Sequence, residues 1–202
     1  MAQLYFMYAS MNAGKSTHLL TSANNYKERG MGTLLLKPSA DTRDSEVKIV
    51  SRLGVEREAN VITPDADIFE FFKWAQVQRD IHCVFVDEAQ FLSREQVLQL
   101  AHIVDVYDCP VMCYGLRTDF LGQMFEGSQH LMALADKLVE LKGVCHCGRK
   151  ATMVARIDSN GEPVTSGDQV EVGGEDKYTS LCRKHYFEFT GLAQVNLKTT
   201  SV

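Results

Sequence analysis

The chain has 202 residues and a formal net charge of −5; 45% of the residues are hydrophobic and 23% are charged. This length accommodates one ordinary domain and a small appendage, and the composition is typical of a globular protein. The acidic balance argues against a nucleic-acid-binding surface. No stretch approaches the ~20 apolar residues that a membrane span requires.

Cysteine usage and the N-terminus indicate the compartment. The six cysteines are spread too unevenly for a disulfide scaffold. The N-terminus also lacks the basic region of a secretory signal peptide. We therefore expect a cytoplasmic protein whose cysteines are reduced.

The first motif is a small-residue loop between an apolar run and a helical pattern. Residues 4–8 predict a strand, and residues 15–29 predict a helix. The order of strand, loop ending in Gly-Lys-Ser and helix is typical of a P-loop, whose backbone N–H groups bind phosphate. In that motif Lys15 reaches the β- and γ-phosphates of a nucleotide, and the Ser16 hydroxyl binds Mg²⁺. The loop consists of Ala9, Ser10, Met11, Asn12, Ala13, Gly14, Lys15 and Ser16.

Ala9 departs from the P-loop pattern, which opens with glycine. Alanine tolerates a positive φ poorly, so either the backbone has an ordinary φ here or some strain is stored. The alternative for the whole motif is a chance match on a tight strand-to-helix turn, which the strand–helix context disfavours.

Alternating strand and helix patterns continue through the middle of the chain. Thr63 as N-cap and Pro64 at the first helical position predict one helix start, and Ser93 with Gln96 predicts a capping box at another. Arg43 lies in a polar loop, where it could approach phosphate or simply be a solvated charge. The predicted strands are residues 33–36, 48–52, 59–62, 81–86, 111–116 and 137–141. The predicted helices are residues 63–75, 93–105 and 127–135.

Two carboxylates, Asp87 and Glu88, directly follow the apolar strand at residues 81–86. An acid at such a strand end is the second half of a P-loop site, where it holds Mg²⁺. Consecutive side chains diverge at a strand end, so the second carboxylate can face a substrate. We predict Asp87 as the magnesium partner and Glu88 as the catalytic base. The alternative for Glu88 is a solvated carboxylate at a loop edge.

Two aromatic residues, Phe120 and Phe125, lie in the polar loop that follows the strand at residues 111–116. Loops at the carboxyl ends of parallel strands line the ligand crevice of α/β proteins. These rings could therefore stack on a base, or they could pack over the sheet edge; the sequence leaves both interpretations open.

A thiol-rich motif begins where the composition shifts near residue 143. Cys145 and Cys147, with Cys182 and His185 about 35 residues later, offer the four ligands of a closed structural zinc site. His146 lies between the first two thiols, so we expect its ring to point away. The alternative is a group of buried free thiols.

Between the two ligand pairs the pattern predicts a β-hairpin and a long loop. Residues 151–157 form a strand, and residues 158–161 have the composition of a turn. The glycine-bearing loop at residues 169–178 is anchored at its far end by Cys182, which suits a lid. We divide the chain into a P-loop domain (1–141), a zinc-binding domain (142–192) and a loose tail (193–202).

Together these motifs resemble those of the cellular, zinc-containing (type II) thymidine kinases, especially the bacterial branch. P-loops are widespread, so the specificity lies in the ordered set, which covers nearly the whole chain. The matching stretches are residues 11–17 (MNAGKST), 86–91 (VDEAQF), 114–120 (YGLRTDF), 145–151 (CHCGRKA), 173–174 (GG) with Tyr178, and 182–185 (CRKH).

The resemblance implies a fold and a reaction. The fold is a RecA-like α/β P-loop domain with a mostly parallel sheet, plus a small C-terminal zinc domain carrying a lasso loop. The reaction is transfer of the γ-phosphoryl group of ATP to the 5′-hydroxyl of thymidine, or of deoxyuridine, in nucleotide salvage. The family also implies a homotetramer with feedback inhibition by thymidine triphosphate, and partners that include neither nucleic acid nor a membrane.

The resemblance also implies residue roles by position. Glu88 would accept the proton of the 5′-hydroxyl, Asp87 would serve Mg²⁺, and Phe120 would stack on or flank the thymine. Backbone groups of residues 169–173 would bond the base edges. The implied ATP-binding residues are the loop residues 9–16 together with Asp87, Glu88, Ala89 and Gln90. The implied nucleoside-binding residues are Phe91, Leu116, Phe120, Phe125, Gln169, Val170, Glu171, Val172, Gly173 and Tyr178.

Two functions from other classes compete with a nucleoside kinase. A RecA-type ATPase would hydrolyse ATP without a nucleoside. A zinc-ribbon nucleic-acid-binding module would need a basic surface, which the acidic balance opposes.

Overall fold

A parallel sheet forms the centre of the computed structural model, which describes residues 1–40, 47–169 and 177–192. The first eight strands are β1 (Leu4–Ala9), β2 (Thr33–Pro38), β3 (Lys48–Val50), β4 (Glu56–Glu58), β5 (Asn60–Ile62), β6 (Cys83–Val86), β7 (Val111–Leu116) and β8 (Lys137–Glu140). Within the described residues, six of them form one sheet in the order β5-β2-β6-β7-β1-β8, and all neighbours are parallel. The predicted α/β fold with a mostly parallel sheet is confirmed.

Helices cover both faces of this sheet. They are α1 (Lys15–Glu28), α2 (Ile68–Gln78), α3 (Arg94–Tyr107) and α4 (Glu126–Leu134); a further helix, α5 (Arg183–Thr190), packs on strands of the C-terminal part. Alternate residues of β2 divide between the faces: Leu34 and Leu36 pack with α2, α3 and α4, whereas Leu35 packs with α1. Because the central strands are buried on both faces, their sequences are continuous apolar runs rather than alternating ones.

Helix α2 begins at Ile68, so the predicted start at Thr63 and Pro64 is wrong. Asp67 is the N-cap, and its carboxylate accepts the backbone N–H of Glu70 at 2.9 Å. The side-chain amide of Gln96 donates to the carbonyl of Thr63 at 2.8 Å. This contact with α3 holds the preceding segment in a turn, so tertiary structure overrides a good local start signal.

The short strands after β2 differ from the prediction. Strand β3 is shorter than residues 48–52 and pairs antiparallel with β4, which the sequence pattern did not predict. Strand β4 is the polar segment Glu56–Glu58, whose outer residues are exposed. A strand without buried alternation carries no hydrophobic signal, which explains why it was missed. The predicted polar loop at residues 41–44, with Arg43, lies outside the described residues.

The C-terminal part is a small second layer attached to the P-loop end of the sheet. Its strands are β9 (Gly143–Val144), β10 (Lys150–Ala151), β11 (Met153–Ile157), β12 (Pro163–Val164) and β13 (Tyr178–Leu181). The Ser180 hydroxyl donates to the carbonyl of Met11 at 2.7 Å, and the Ser10 hydroxyl donates to the carbonyl of Ala151 at 3.3 Å. These bonds tie the small unit directly to the P-loop. The exact domain boundaries at residues 141 and 192 stay a prediction.

None of the helices within residues 1–40, 47–169 and 177–192 has the length and apolarity that crossing a membrane requires.

Gly127 of α4 offers a test of how tightly the helices pack around the carboxyl end of β6. A Cβ at this position would lie 2.4 Å from the carbonyl oxygen of Ala89 and 2.8 Å from that of Leu92. Gly127→Ala should therefore lower the free energy of unfolding by about 1–3 kcal/mol, as overpacking against a rigid backbone does. Urea unfolding measures the change. Gln129→Ala, an exposed change on the same helix, is the control and should stay within about 0.5 kcal/mol of wild type. A wild-type stability for Gly127→Ala would contradict the packing.

Candidate functional site

The P-loop follows β1 and leads directly into α1. Gly14 at the N-cap has φ 78°, a left-handed conformation that glycine adopts without a steric cost. The buried Lys15 is the first helical residue, and its Nζ donates to the carbonyl oxygen of Ser10 at 2.9 Å. The loop therefore holds a buried cation at a helix N-terminus, an arrangement suited to binding phosphate.

Backbone strain in the described residues occurs at places other than Ala9. The non-glycine residues with positive φ are Asn12, Glu88 and Asp108. Ala9 therefore has an ordinary φ, and replacing the usual glycine there stores no strain. Two of the three positive-φ residues belong to the predicted site, and strained backbone of this kind persists where function requires it.

A cleft of about 720 Å³ opens beside the P-loop. One wall is formed by residues 11–18, and another by Asp87 and Glu88. The β3–β4 hairpin supplies residues 49–53 to the same cleft, a contribution the sequence prediction missed. A hairpin that covers a site from outside the main sheet has no motif of its own, so only the fold reveals it.

Asp87 lies at the end of β6 and is 4% exposed. Burial, and then the neighbouring charge of Glu88, raise the pKa of Asp87 to about 7. A hydrogen bond from Ser16 and the charge of Lys15 act in the opposite direction. The P-loop and Asp87 are thus in contact. The buried position makes an unneutralised negative charge on Asp87 unfavourable.

Glu88 is 9% exposed, and its backbone is in the left-handed region with φ 48°. The side-chain amide of Gln90 donates to the Glu88 carboxylate, while the Gln90 Oε1 accepts the backbone N–H of Leu116 at 3.0 Å. Gln90 therefore links the carboxylate to the end of β7. The interpretation of Glu88 as a solvated loop-edge carboxylate does not fit this buried, hydrogen-bonded position.

A buried apolar cluster lies next to the cleft. It joins Met11 of the P-loop, Leu116 of β7, Phe125 and Val154 of β11, with Phe91 and Tyr178 packed against it. The rings of Phe91 and Phe125 meet edge to face, with centroids 5.7 Å apart. Four of the predicted nucleoside-binding residues thus come together here. Val154 was not predicted, because a valine in an alternating strand carries no functional signal.

Phe120 is outside this cluster and 1% exposed. The guanidinium carbon of Arg156 lies 3.9 Å from its ring centroid, so one face of the ring is covered by a cation. Gln169 donates from Nε2 to the carboxylate of Asp119 at 2.9 Å. The stacking of Phe120 on thymine stays a prediction. The remaining predicted lasso residues, Val170, Glu171, Val172 and Gly173, lie outside the described residues.

The predicted metal ligands form a compact cluster. Cys145, Cys147, Cys182 and His185 offer ligand atoms that all lie within 4.8 Å of one another, a donor set that could hold one metal ion. Burial would raise the pKa of Cys145, but backbone N–H donors of Cys147 and Cys182 and the side chain of His185 outweigh it and lower this pKa to about 5. A thiol with this pKa is a thiolate at neutral pH, which is the ligand form.

His146 is outside the metal-ligand cluster, as the spacing predicted, but its ring does not point away. It stacks on the ring of His185 with centroids 4.4 Å apart and an interplanar angle of 12°. The favourable contact with a neighbouring aromatic ring explains the difference.

Asp87 should make the nucleotide-free protein less stable as pH rises. Its pKa of about 7 in the folded state exceeds the ordinary 3.8, so the folded state binds an extra proton between these values and stability falls across that window. Asp87→Asn removes this penalty. We expect it to gain about 1–3 kcal/mol over wild type between pH 5 and pH 8 in urea unfolding without nucleotide or magnesium. Asp105→Asn, an exposed change on α3, should show no such gain. An equal effect of both substitutions would contradict the burial argument.

The chain is similar to known proteins along nearly its whole length and theirs. The chain matches the thymidine kinase family over residues 2–186. It is 64% identical over 190 residues to the thymidine kinase of Enterobacteria phage T4, covering 94% of this chain and 98% of that protein. The thymidine kinase of Shewanella oneidensis is 55% identical over 189 residues, with 94% and 98% covered. That of Vibrio cholerae is 54% identical over 191 residues, with 95% and 100% covered. This chain therefore belongs to the thymidine kinase family.

Proposed function

We propose that this protein transfers the γ-phosphoryl group of ATP to the 5′-hydroxyl of thymidine and so supplies the 5′-monophosphate in nucleotide salvage. One observation carries the proposal beyond family membership. Met11 and Leu116 line the phosphate cleft and also belong to the apolar cluster. A phosphate site and an apolar pocket that share two residues can hold a donor and an acceptor side by side.

The P-loop binds the ATP phosphates with its backbone N–H groups and with Lys15. Ser16 and Asp87, a hydroxyl and a buried carboxylate in contact, fit the oxygen donors that Mg²⁺ prefers, and they would hold the metal of Mg·ATP. Magnesium neutralises phosphate charge when it is bound. Its charge would also relieve the electrostatic penalty on Asp87.

Glu88 acts as the base for the acceptor. The 5′-oxygen of the nucleoside forms a bond to the γ-phosphorus, the bond from that phosphorus to the β–γ bridging oxygen breaks, and ADP leaves. The hydroxyl proton passes to the Glu88 carboxylate. The hydrogen bond from Gln90 and the strained backbone fix the position of this carboxylate, so orientation costs little during the reaction.

The apolar cluster receives the base. Phe91, Phe125 and Tyr178 supply aromatic surface, and Met11 and Leu116 lie toward the phosphate cleft. Such surfaces bind a flat base without distinguishing one pyrimidine from another. Discrimination then requires polar groups at the base edges, for which we propose the lasso residues 169–173.

The metal-ligand cluster holds a structural Zn²⁺. Its four sulfur and nitrogen donors, from Cys145, Cys147, Cys182 and His185, would hold the ion in the structural role typical of such a donor set. Cys145 follows β9 and Cys182 follows β13, so one ion ties together two strands that are distant in sequence. This tie holds the far root of the lasso loop in place.

Some expectations rest on the family alone. We propose a homotetramer with feedback inhibition by thymidine triphosphate, a cytoplasmic location and activity on deoxyuridine on this basis. Membership of the family also favours a nucleoside kinase over the two competing functions, a RecA-type ATPase and a zinc-ribbon module.

Metal content tests the structural zinc. We expect about one zinc per chain by atomic absorption, and Cys182→Ser should lose most of it because three ligands remain. The same variant should bind thymidine more weakly, since the lasso root is released. His146→Ala is the matched control: it alters a histidine beside the cluster and should keep the metal. Full thymidine kinase activity in a stably zinc-free preparation would contradict the anchoring role.

Glu88→Gln tests the base. It keeps the side-chain shape but cannot accept the proton, so turnover should fall about 10²–10⁴-fold while the KM for ATP changes less than about twofold. Steady-state kinetics with ATP and thymidine measure both. Glu95→Gln, an exposed change on α3, should be fully active. A Glu88→Gln enzyme with near-normal turnover would remove this residue from the mechanism.

The substrate itself is tested by product formation. Purified protein with ATP and Mg²⁺ should phosphorylate thymidine and leave purine deoxynucleosides almost unchanged. ADP release that is equally fast without any nucleoside would identify an ATPase instead.

A further inference from the structure

Arg156 is a buried cation that neither the P-loop chemistry nor the metal site uses. It lies on β11 and is 5% exposed. In the strand register it faces Val164 of β12 on one side and Tyr178 of β13 on the other. These two partners flank residues 165–177, the segment that contains the predicted lasso residues 169–173. Arg156 is therefore the residue of the small sheet that lies directly between the roots of the loop.

Its guanidinium is hydrogen-bonded to the backbone at the N-terminal root of the lasso loop. Nη1 donates to the carbonyl oxygen of Asp168 at 3.2 Å, and Nη2 donates to that of Ser166 at 3.3 Å. Gly167 between them has φ 116°, and a Cβ there would lie 2.9 Å from Nη2. The chain thus turns closely around the guanidinium, in a conformation that an L side chain would strain.

The same guanidinium covers Phe120, with its central carbon 3.9 Å from the ring centroid. The neighbouring Asp119 accepts the side chain of Gln169 at 2.9 Å, so the loop root and the segment after β7 are joined twice. The Tyr186 hydroxyl donates to the carbonyl oxygen of Phe120 at 2.7 Å, which ties the segment after β7 to helix α5 as well. Arg156 lies at the centre of this junction.

The junction adjoins the apolar cluster. Side chains two apart on a strand share a face, so Arg156 lies on the same face of β11 as Val154. Val154 belongs to the apolar cluster together with Tyr178, the register partner of Arg156. A displacement of the guanidinium would therefore shift residues both at the loop root and beside the proposed base pocket.

We propose that Arg156 is a positioning residue for nucleoside binding, which fixes the root of the lasso loop and the Phe120 ring relative to each other. The inference rests on the proposed thymidine kinase function. Arginine suits the position because its planar fork can donate to two carbonyls while its face stacks on a ring. Lysine carries the same charge but has neither the fork nor the face.

Kinetics of Arg156→Met and Arg156→Lys test the proposal. Both should raise the KM for thymidine at least about tenfold, the cost of one lost charge-assisted hydrogen bond, and leave the KM for ATP within about twofold. Gly167→Ala disturbs the same contact from the exposed loop side without removing a buried charge, and it should shift the thymidine KM in the same direction. Arg79→Met, at an exposed arginine after α2, is the control and should behave as wild type.

Hydrogen exchange provides a readout that does not depend on the reaction. The backbone N–H groups of Leu121 and Gln123 donate to Asp119 at 2.9 and 2.8 Å, so their exchange reports the junction directly. In both Arg156 variants, peptides covering residues 119–123 and 165–169 should exchange about tenfold faster, with α3 unchanged.

The outcomes distinguish a failure of the Arg156 proposal from a failure of the proposed kinase function. Wild-type thymidine KM in Arg156→Lys would overturn the need for a forked donor. If Arg156→Met fails to fold, an unchanged thymidine KM in Gly167→Ala would overturn the proposal. If the wild-type protein phosphorylates no nucleoside, the proposed function fails, whereas faster exchange in Arg156→Lys would still support the junction, and unchanged exchange would overturn it.

Discussion

Two adjacent carboxylates are buried beside the phosphate-binding loop, and their burial shapes the surrounding site. Asp87 and Glu88 lie at the end of a strand that is covered on both faces, and water reaches neither of them freely. Burial makes the charged form of Asp87 unfavourable, and the pKa of this carboxyl is raised accordingly. The strained backbone of Glu88 adds to this cost. The extensive core on both faces of the parallel sheet compensates, so the protein tolerates a local loss of stability beside the phosphate-binding loop.

The small C-terminal unit contributes residues to the site. Its strands are bonded to the P-loop through Ser10 and Ser180, and Val154 and Tyr178 complete the apolar cluster around Met11. The metal-ligand cluster lies on one face of these strands, and Arg156 lies on the opposite face. The loop between β12 and β13 is consequently held at one root by the arginine junction and at the other by the proposed zinc.

Sequence and structure agree where the signal is local and differ where it is not. The capping box of Ser93 and Gln96 forms as its spacing predicts, and α1 begins at Lys15. The predicted start of α2 was wrong because the side-chain amide of Gln96, on another helix, donates to the carbonyl of Thr63. Strand β4 escaped detection because both of its faces are polar. Arg156 carried no signal at all, since a single arginine in a strand pattern resembles a surface charge.

The amino-acid sequence alone carried the motifs: a P-loop, an acid pair after a strand and four candidate metal ligands are short patterns whose residue types suit phosphate, proton and metal chemistry. It also determined the α/β class, through apolar runs whose lengths match strands buried on both faces. Which of these groups meet depends on how the elements pack. Met11 and Val154 share one apolar cluster, Gln90 bonds the backbone of Leu116, and Arg156 covers Phe120; each of these pairs joins different elements. Their proximity depends on strand order and packing, which no local pattern encodes.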